Sequence, residues 1–255
     1  MVLLEMVTLS SLVASTVAEC GIHEMDHDYY NITDLGLAVF DNRVADVDDL
    51  VAAGCDVNYN GTSKLFVYSY SENEYEYGDY EDSYGEYGDE QKVLGGLTAL
   101  HIAATEGYHD MVAELLAVII VDPTTDTGNT PLFDASSWGY TKVIKLLHAA
   151  GADVNHQDYE YGVTPLIQTV LYGYMHSAKL LIKLGADLNV QDFDYQETAL
   201  HVSVHFGFPD LAQLLVKSGT DLEIRNIDNM TALEVAVELE DREIEQILRL
   251  GEEFY

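Results

Sequence analysis

The sequence predicts an all-α solenoid, a stack of short helix-turn-helix units connected by loops. One observation is a Thr-X-Leu motif, with Pro or Ala as X, that recurs at intervals of 32 to 34 residues. The other is a Gly-X-Asp motif that keeps a matching interval from Gly151 onward. The first motif begins at Thr98, Thr130, Thr164, Thr198 and Thr231, and the second at Gly54, Gly151, Gly185 and Gly219. Such periods are typical of repeat proteins.

The residues of one unit account for two helices and a turn. The Thr hydroxyl accepts a hydrogen bond from an unpaired backbone N–H, and Pro tolerates the first helical position, so each Thr begins a helix. A second apolar stretch with helical spacing follows, as at residues 143–147 and 178–182. The next glycine supplies the left-handed turn that ends this second helix. One such pair is too small to bury its apolar face, so neighbouring units must stack.

The motifs also resemble those of a known family. Thr-Pro-Leu stands at 130–132 and 164–166, Thr-Ala-Leu-His at 98–101 and 198–201, and Gly-Ala-Asp-Val-Asn at 151–155. Together they resemble the ankyrin repeat family, which has TPLH-x-A at the first helix and GADVN after the second. The resemblance implies an ankyrin-repeat solenoid with finger loops and a concave side. It further implies partner contacts through the fingers and the first-helix surface.

The resemblance assigns structural roles to four polar residues. It implies hydrogen bonds that order the turn regions from His101 and His201, and from Asn155 and Asn189. The chain departs from the family at residues 119–123, where the turn glycine is missing. We expect a different turn geometry or a local apolar contact there.

The motif positions divide the chain into repeats. We predict an amino-terminal capping repeat at 1–32, repeats at 33–58, 98–129, 130–163, 164–197 and 198–230, a carboxy-terminal capping repeat at 231–255, and an insertion or degenerate repeat at 59–97. Residues 1–18 fit either the helix of a capping repeat or a signal peptide. Glu5 and the absence of Lys and Arg favour the helix.

The insertion at 59–97 has its own composition. Asn58 and Thr98 lie 40 residues apart, whereas Asn155 and Thr164 lie 9 apart. Its tyrosines alternate with Asp, Glu, Gly and Ser, which is typical of a solvated acidic loop. As a recognition arm, it would use rings and carboxylates to bind Lys or Arg side chains; an inert spacer and a degenerate repeat are the alternatives. The candidate partner-binding residues in it are Tyr75, Tyr77, Tyr80, Tyr84 and Tyr87.

Two predicted finger tips repeat this acidic and aromatic pattern. Aromatic side chains at a loop tip are not expected in the core, and tyrosine is favoured at binding hot spots. The candidate partner-binding residues are Asp158, Tyr159, Glu160 and Tyr161 in one finger, and Asp192, Phe193, Asp194 and Tyr195 in the next.

The charge of the chain indicates the kind of partner. Its 45 acidic residues against 11 Lys and Arg give a formal net charge of -34. Such a surface repels phosphate backbones and anionic lipids, which disfavours direct nucleic-acid and membrane binding. We expect a basic protein or peptide as partner, and a monomer in the absence of that partner. The alternatives are a structural adaptor whose acidity reflects solubility or high salt, and a viral or bacterial effector that targets a host.

The sequence favours a non-catalytic scaffold. It has no nucleophile elbow, phosphate loop or dinucleotide motif, so we expect no enzyme, catalytic residue, cofactor or metal. Its two cysteines, Cys20 and Cys55, cannot form the dense disulfide framework of a small secreted fold. We expect a cytoplasmic location, with the nucleus as the alternative.

Overall fold

The computed structural model describes two long continuous stretches, residues 96–117 and 121–252. It also describes residues 22–25, 30–33, 39, 42, 44, 45 and 49. Ten helices lie in residues 96–252. They are α1 Ala99–Thr105, α2 His109–Leu115, α3 Pro131–Ser137, α4 Thr141–Ala149, α5 Pro165–Leu171, α6 Met175–Lys183, α7 Ala199–His205, α8 Pro209–Lys217, α9 Ala232–Glu238 and α10 Arg242–Glu252.

The helices pack in sequential pairs, which confirms the predicted helix-turn-helix units. Each first helix (α1, α3, α5, α7, α9) packs on the second helix that follows it (α2, α4, α6, α8, α10). First helices also pack on neighbouring first helices, and second helices on neighbouring second helices. The leucines of four Thr-X-Leu motifs, Leu100, Leu132, Leu166 and Leu200, are at most 1% exposed. Burial of one such side chain contributes about 2 kcal/mol, so the motif marks the shared core.

A short strand pair precedes the helices. Strand β1 (Ile22–Met25) pairs antiparallel with β2 (Tyr30–Thr33), with Ile22 opposite Thr33. The all-α prediction holds for the ten helices but did not include this pair. Of the predicted insertion at 59–97, the described stretches include Gly96 and Leu97, and residues 1–18 lie outside them.

The threonines begin the first helices as predicted. Thr130 has an extended backbone, and its hydroxyl accepts the Phe133 N–H at 3.2 Å. Thr164 accepts the Ile167 N–H at the same distance. In both cases Pro occupies the next position, where no backbone N–H is needed. The recurring Thr is therefore a helix cap.

His101 connects the start of α1 to the next finger. Its Nδ1 accepts the Thr98 backbone N–H at 3.1 Å, which leaves the proton on Nε2. Nε2 donates to the Asn129 carbonyl at 3.0 Å. His201 repeats this arrangement between Thr198 and the Met230 carbonyl, which lies 3.2 Å from Nε2. The structural role implied for both histidines is confirmed.

Amide and carboxyl side chains connect one repeat to the next. Asn155 Oδ1 accepts the Asp187 N–H at 2.8 Å, and Asn189 Oδ1 accepts the Asp221 N–H at 2.9 Å. Where the turn glycine is missing, Asp122 fills the equivalent position and its Oδ2 accepts the Asp153 N–H at 2.9 Å. The bond between repeats thus persists despite the irregular sequence before Asp122.

No helix in the described parts of the chain is both long enough and apolar enough to cross a membrane.

The His101 bonds predict a pH dependence of stability. Burial lowers the His101 pKa from 6.5 to about 4, so the unfolded chain binds a proton here at higher pH than the folded chain. Stability is full above the unfolded pKa and falls as the pH drops toward 4. Between pH 7 and pH 5, the free energy of unfolding should fall by about 2 kcal/mol more in wild type than in His101→Gln.

Urea unfolding at the two pH values measures this difference. His176→Gln is the matched control because His176 is exposed on α6, and it should keep the wild-type pH dependence. Equal pH dependence in wild type and His101→Gln would contradict the assignment.

Candidate functional site

Four finger loops lie between successive repeats, at residues 121–130, 153–163, 187–197 and 221–230. Each loop closes with a backbone hydrogen bond across its base. These bonds run from Thr125 N to Asn129 O, from Asp158 N to Val163 O, from Asp192 N to Glu197 O and from Asn226 N to Met230 O. The four loops are therefore versions of one hairpin-like turn.

Asp158 and Asp192, two of the predicted partner-binding residues, accept hydrogen bonds within their own loops. Asp158 is 4% exposed and Asp192 is 5% exposed. Asp158 Oδ1 accepts the Tyr161 N–H at 2.7 Å, and its Oδ2 accepts the Val163 N–H at 2.8 Å. Asp192 Oδ1 accepts the Tyr195 N–H at 2.8 Å. Desolvation raises the Asp192 pKa, as expected for a carboxyl enclosed by protein.

The equivalent positions in the other fingers carry other acceptors. Thr125 Oγ1 accepts the Asn129 N–H at 3.0 Å, and Asn226 Oδ1 accepts the Met230 N–H at 3.0 Å. Since Thr, Asp and Asn all perform this task, the position selects a short hydrogen-bond acceptor rather than a negative charge.

Aromatic rings project at the tips of the second and third fingers. Tyr159 is 60% exposed and Phe193 is 56% exposed. One face of each ring nevertheless rests on the previous finger. A Cβ added at Gly128 would lie 2.5 Å from the Tyr159 ring, and a Cβ added at Gly162 would lie 2.4 Å from the Phe193 ring. The rings are therefore exposed and held in place.

Backbone hydrogen bonds fix the spacing of the fingers. The Tyr159 N–H donates to Thr127 O, the Phe193 N–H to Tyr161 O and the Ile227 N–H to Tyr195 O, each at 2.8 Å. One such backbone bond at each junction connects each finger to the next. A ring held on such a base loses little freedom on binding, which favours affinity.

The other predicted finger residues also occupy definite positions. Tyr161, Glu160 and Asp194 are exposed, whereas Tyr195 is half-buried. The candidate residues Tyr75, Tyr77, Tyr80, Tyr84 and Tyr87 lie outside the described residues. Ile227 is 55% exposed and continues the row of Tyr159 and Phe193. Sequence reasoning missed Ile227 because it considered aromatic residues at the tips.

The fold and the finger geometry agree with the comparison against known families. The description "Ankyrin repeats (3 copies)" matches residues 81–158 and 166–254, more than half of the chain. The chain belongs to the ankyrin repeat family. It is therefore a protein-binding module of a kind that is typically non-catalytic. The first match begins inside the predicted insertion at 59–97.

Two curated proteins resemble parts of this ankyrin repeat protein. A stretch of 60 residues is 43% identical to the "Glutaminase liver isoform, mitochondrial" of Rattus norvegicus, covering 23% of this chain and 10% of that protein. A stretch of 73 residues is 41% identical to the "Nuclear factor NF-kappa-B p105 subunit" of Gallus gallus, covering 28% and 7% respectively. This chain thus matches about a tenth or less of either relative.

Charge is distributed unevenly over the ankyrin array. Within residues 96–117 and 121–252, all lysines and all but one arginine belong to second helices: Lys142, Lys145, Lys179, Lys183, Lys217, Arg242 and Arg249. The fingers carry twelve acidic residues: Asp122, Asp126, Asp153, Asp158, Glu160, Asp187, Asp192, Asp194, Glu197, Asp221, Glu223 and Asp228. Their single basic residue, Arg225, is paired with Glu234 at 2.7 Å.

The ankyrin array also presents an open surface beside the fingers. On α3 and α5, the positions that are not buried recur at helical spacing and continue onto the residue after each helix. This first-helix face consists of Asp134, Ser137, Trp138, Gln168, Leu171 and Tyr172, and continues with His205 and Phe206. Tyr172 is 39% exposed. Sequence reasoning named the first-helix surface but none of these residues.

One ion pair lies where the first-helix face meets a finger. His205 Nδ1 is 2.8 Å from Oε1 of Glu197, whose carboxylate is buried. Desolvation lowers the His205 pKa, but the Glu197 hydrogen bond and nearby carboxylates outweigh it and raise the pKa overall. Within the described part of the chain, no group of three or more His, Cys, Asp or Glu is arranged to hold a metal ion.

The loop role of Asp158 predicts a stability effect. Asp158→Ala removes the acceptor of the Tyr161 N–H and of the buried Val163 N–H. The free energy of unfolding should fall by about 1–3 kcal/mol. Asp126→Ala, an exposed finger carboxylate, is the control and should change stability by less than about 0.5 kcal/mol. Urea unfolding of both variants tests this, and equal effects would contradict the loop role.

Proposed function

We propose that this ankyrin array is a non-catalytic scaffold that binds a basic segment of another protein through its finger loops and first-helix face. The uneven charge distribution carries the proposal. The fingers and first helices contain no lysine in the described stretches, and the finger arginine Arg225 is already paired with Glu234. A cationic segment therefore meets a surface on which acidic residues outnumber basic ones.

The distribution of charge argues against acidity that serves only solubility or high-salt tolerance. A surface adapted for hydration gains equally from acidic residues on every side. Here the second helices carry lysines on α4, α6 and α8, while the first helices α1, α3, α5 and α7 carry none. The restriction of lysines to the second helices in the described stretches is the pattern expected of a surface that selects a partner.

The finger rings supply the apolar part of the proposed interface. Tyr159 and Phe193 each lie on a glycine of the preceding finger and expose the remaining surface. Exposed carboxylates, Glu160 and Asp194, directly follow the two rings in sequence. A ring beside a carboxylate suits the alkyl stem and charged end of Arg or Lys.

The activities named in the two relatives are not part of this proposal. Each match covers 10% or less of the relative, so it extends to a small segment of those proteins. Repeat arrays share a fold while binding unrelated partners.

Two variant pairs test the scaffold proposal with a fluorescein-labelled dodecapeptide of alternating Arg and Gly. Tyr159→Ala/Phe193→Ala should weaken binding by at least about tenfold, because exposed anchor rings dominate such interfaces. Glu160→Gln/Asp194→Asn should also weaken binding, with the loss shrinking as salt screens the charges. Fluorescence anisotropy at low and high salt measures both effects.

The matched control for charge is Glu114→Gln/Asp210→Asn, which removes two exposed carboxylates from second helices α2 and α8. It should bind the peptide within about twofold of wild type, since its charges lie away from the proposed interface. Equal losses in the finger and control pairs would mean that net charge alone drives binding. That result would overturn the proposed interface.

A further inference from the structure

The first-helix face contains a carboxyl group that has no counter-charge among the described residues. Asp134 lies in the first turn of α3, where its neighbours Phe133 and Ala135 are buried. It is half-buried, and no hydrogen bond or ion pair of its side chain occurs with any described residue. A carboxyl group in this position is costly to ionise unless a cation or donor meets it.

The nearby side chains of Ser137 and Gln168 already form hydrogen bonds with other partners. Ser137 Oγ donates to the Phe133 carbonyl at 3.1 Å and accepts from Gln168 Nε2 at 3.1 Å. The position on α1 that is equivalent to Asp134 is Ile102, which is 8% exposed and offers no donor. The neighbouring helices therefore leave Asp134 without compensation.

An indole lies on the same side of the helix. Trp138 follows Asp134 by four residues, a spacing that places both side chains on one helix face. At the equivalent position of the next repeat, Tyr172 is 39% exposed. A desolvated carboxyl group beside aromatic rings is a suitable receptor for a guanidinium or ammonium group. Such a cation can hydrogen-bond to the carboxylate and lie against the face of a ring.

We infer that Asp134 and Trp138 form a receptor for one Arg or Lys side chain of the bound segment. This inference rests on the proposed function and names a specific contact within it. The cation binds the Asp134 carboxylate while its alkyl stem lies along the Trp138 ring.

The inference connects binding to proton release. Burial raises the Asp134 pKa from 3.8 to about 8, so the carboxyl group is mostly protonated at neutral pH in the free protein. An arginine side chain stays charged far above this range. Because the cation binds the ionised form, affinity follows the ionised fraction and should rise about tenfold between pH 7 and pH 9.

Other ionisable groups near α3 come from the elements packed on it. α5 contributes none along its length. These groups are His101 and Glu106 from α1 and its end, Tyr140, Lys142, Lys145 and His148 from α4 and the residue before it, and Tyr172 after α5. His101, with a pKa of about 4, is neutral throughout the test range. Desolvation alone accounts for the shift at Asp134.

The test measures binding of the Arg-Gly dodecapeptide by anisotropy at pH 7, 8 and 9 at constant ionic strength. Wild type and Asp210→Asn, which removes an exposed carboxylate from α8, should both show the tenfold rise. Asp134→Asn should lose the rise and bind more weakly than wild type at pH 9. Trp138→Leu should bind more weakly at every pH but keep the rise.

The outcomes separate the inference from the proposed function. If wild type binds through the fingers while Asp134→Asn keeps both the wild-type affinity and its increase between pH 7 and pH 9, the Asp134 receptor is wrong. The scaffold proposal is unaffected by that result. If wild type does not bind the peptide at all, both proposals fail. Far-UV circular dichroism and urea unfolding establish that each variant is folded, and a folded Asp134→Asn is expected because Asn preserves the side-chain shape.

Discussion

Contact between neighbouring repeats is the interaction on which the whole structure depends. A pair of helices as short as α1 and α2 has too little apolar surface to form a core alone. Leu100 and Leu132 are fully buried because first helices pack on first helices along the stack. The stability of one repeat is thus supplied largely by its neighbours. The sequence repeats about every 33 residues because each unit must present the same apolar positions to its neighbours.

Polar groups reinforce this contact at three levels. Asn155 bonds to the loop that follows the second helix of the next repeat, His101 bonds to the next finger, and the Tyr159 N–H bonds to the finger before it. The Asn155 and Tyr159 bonds join two adjacent repeats, and the His101 bond joins the first helix of a repeat to the finger that ends it. The surface built by the fingers is therefore as regular as the core beneath it. Regular spacing allows a segment that lies along the stack to meet similar chemistry at each repeat.

The sequence predicted the helical repeats well because their signals are local. A Thr cap, an apolar spacing and a turn glycine each act within one unit, so they are visible without coordinates. The roles of individual finger residues were harder to predict. Asp158 and Glu160 are both acidic loop residues, and the folded loop alone decides that one is enclosed and the other exposed. Asp134 was missed for a related reason. Its carboxyl group lacks a hydrogen-bond donor partly because Gln168 donates to Ser137 on the neighbouring helix, and this contact is visible only in the folded structure.

The contact between a ring and the preceding glycine has a consequence for how this array can evolve. Gly128 and Gly162 adopt positive φ values of 85° and 68° and leave room for Tyr159 and Phe193. A larger residue at either glycine collides with the ring, and loss of the ring uncovers the bare backbone. The two partners stand in different repeats, 31 positions apart in each case. Duplication of the repeat at 130–163 would therefore copy the ring of one contact, Tyr159, and the glycine of the next, Gly162, so a substitution in one repeat alters a contact made by its neighbour.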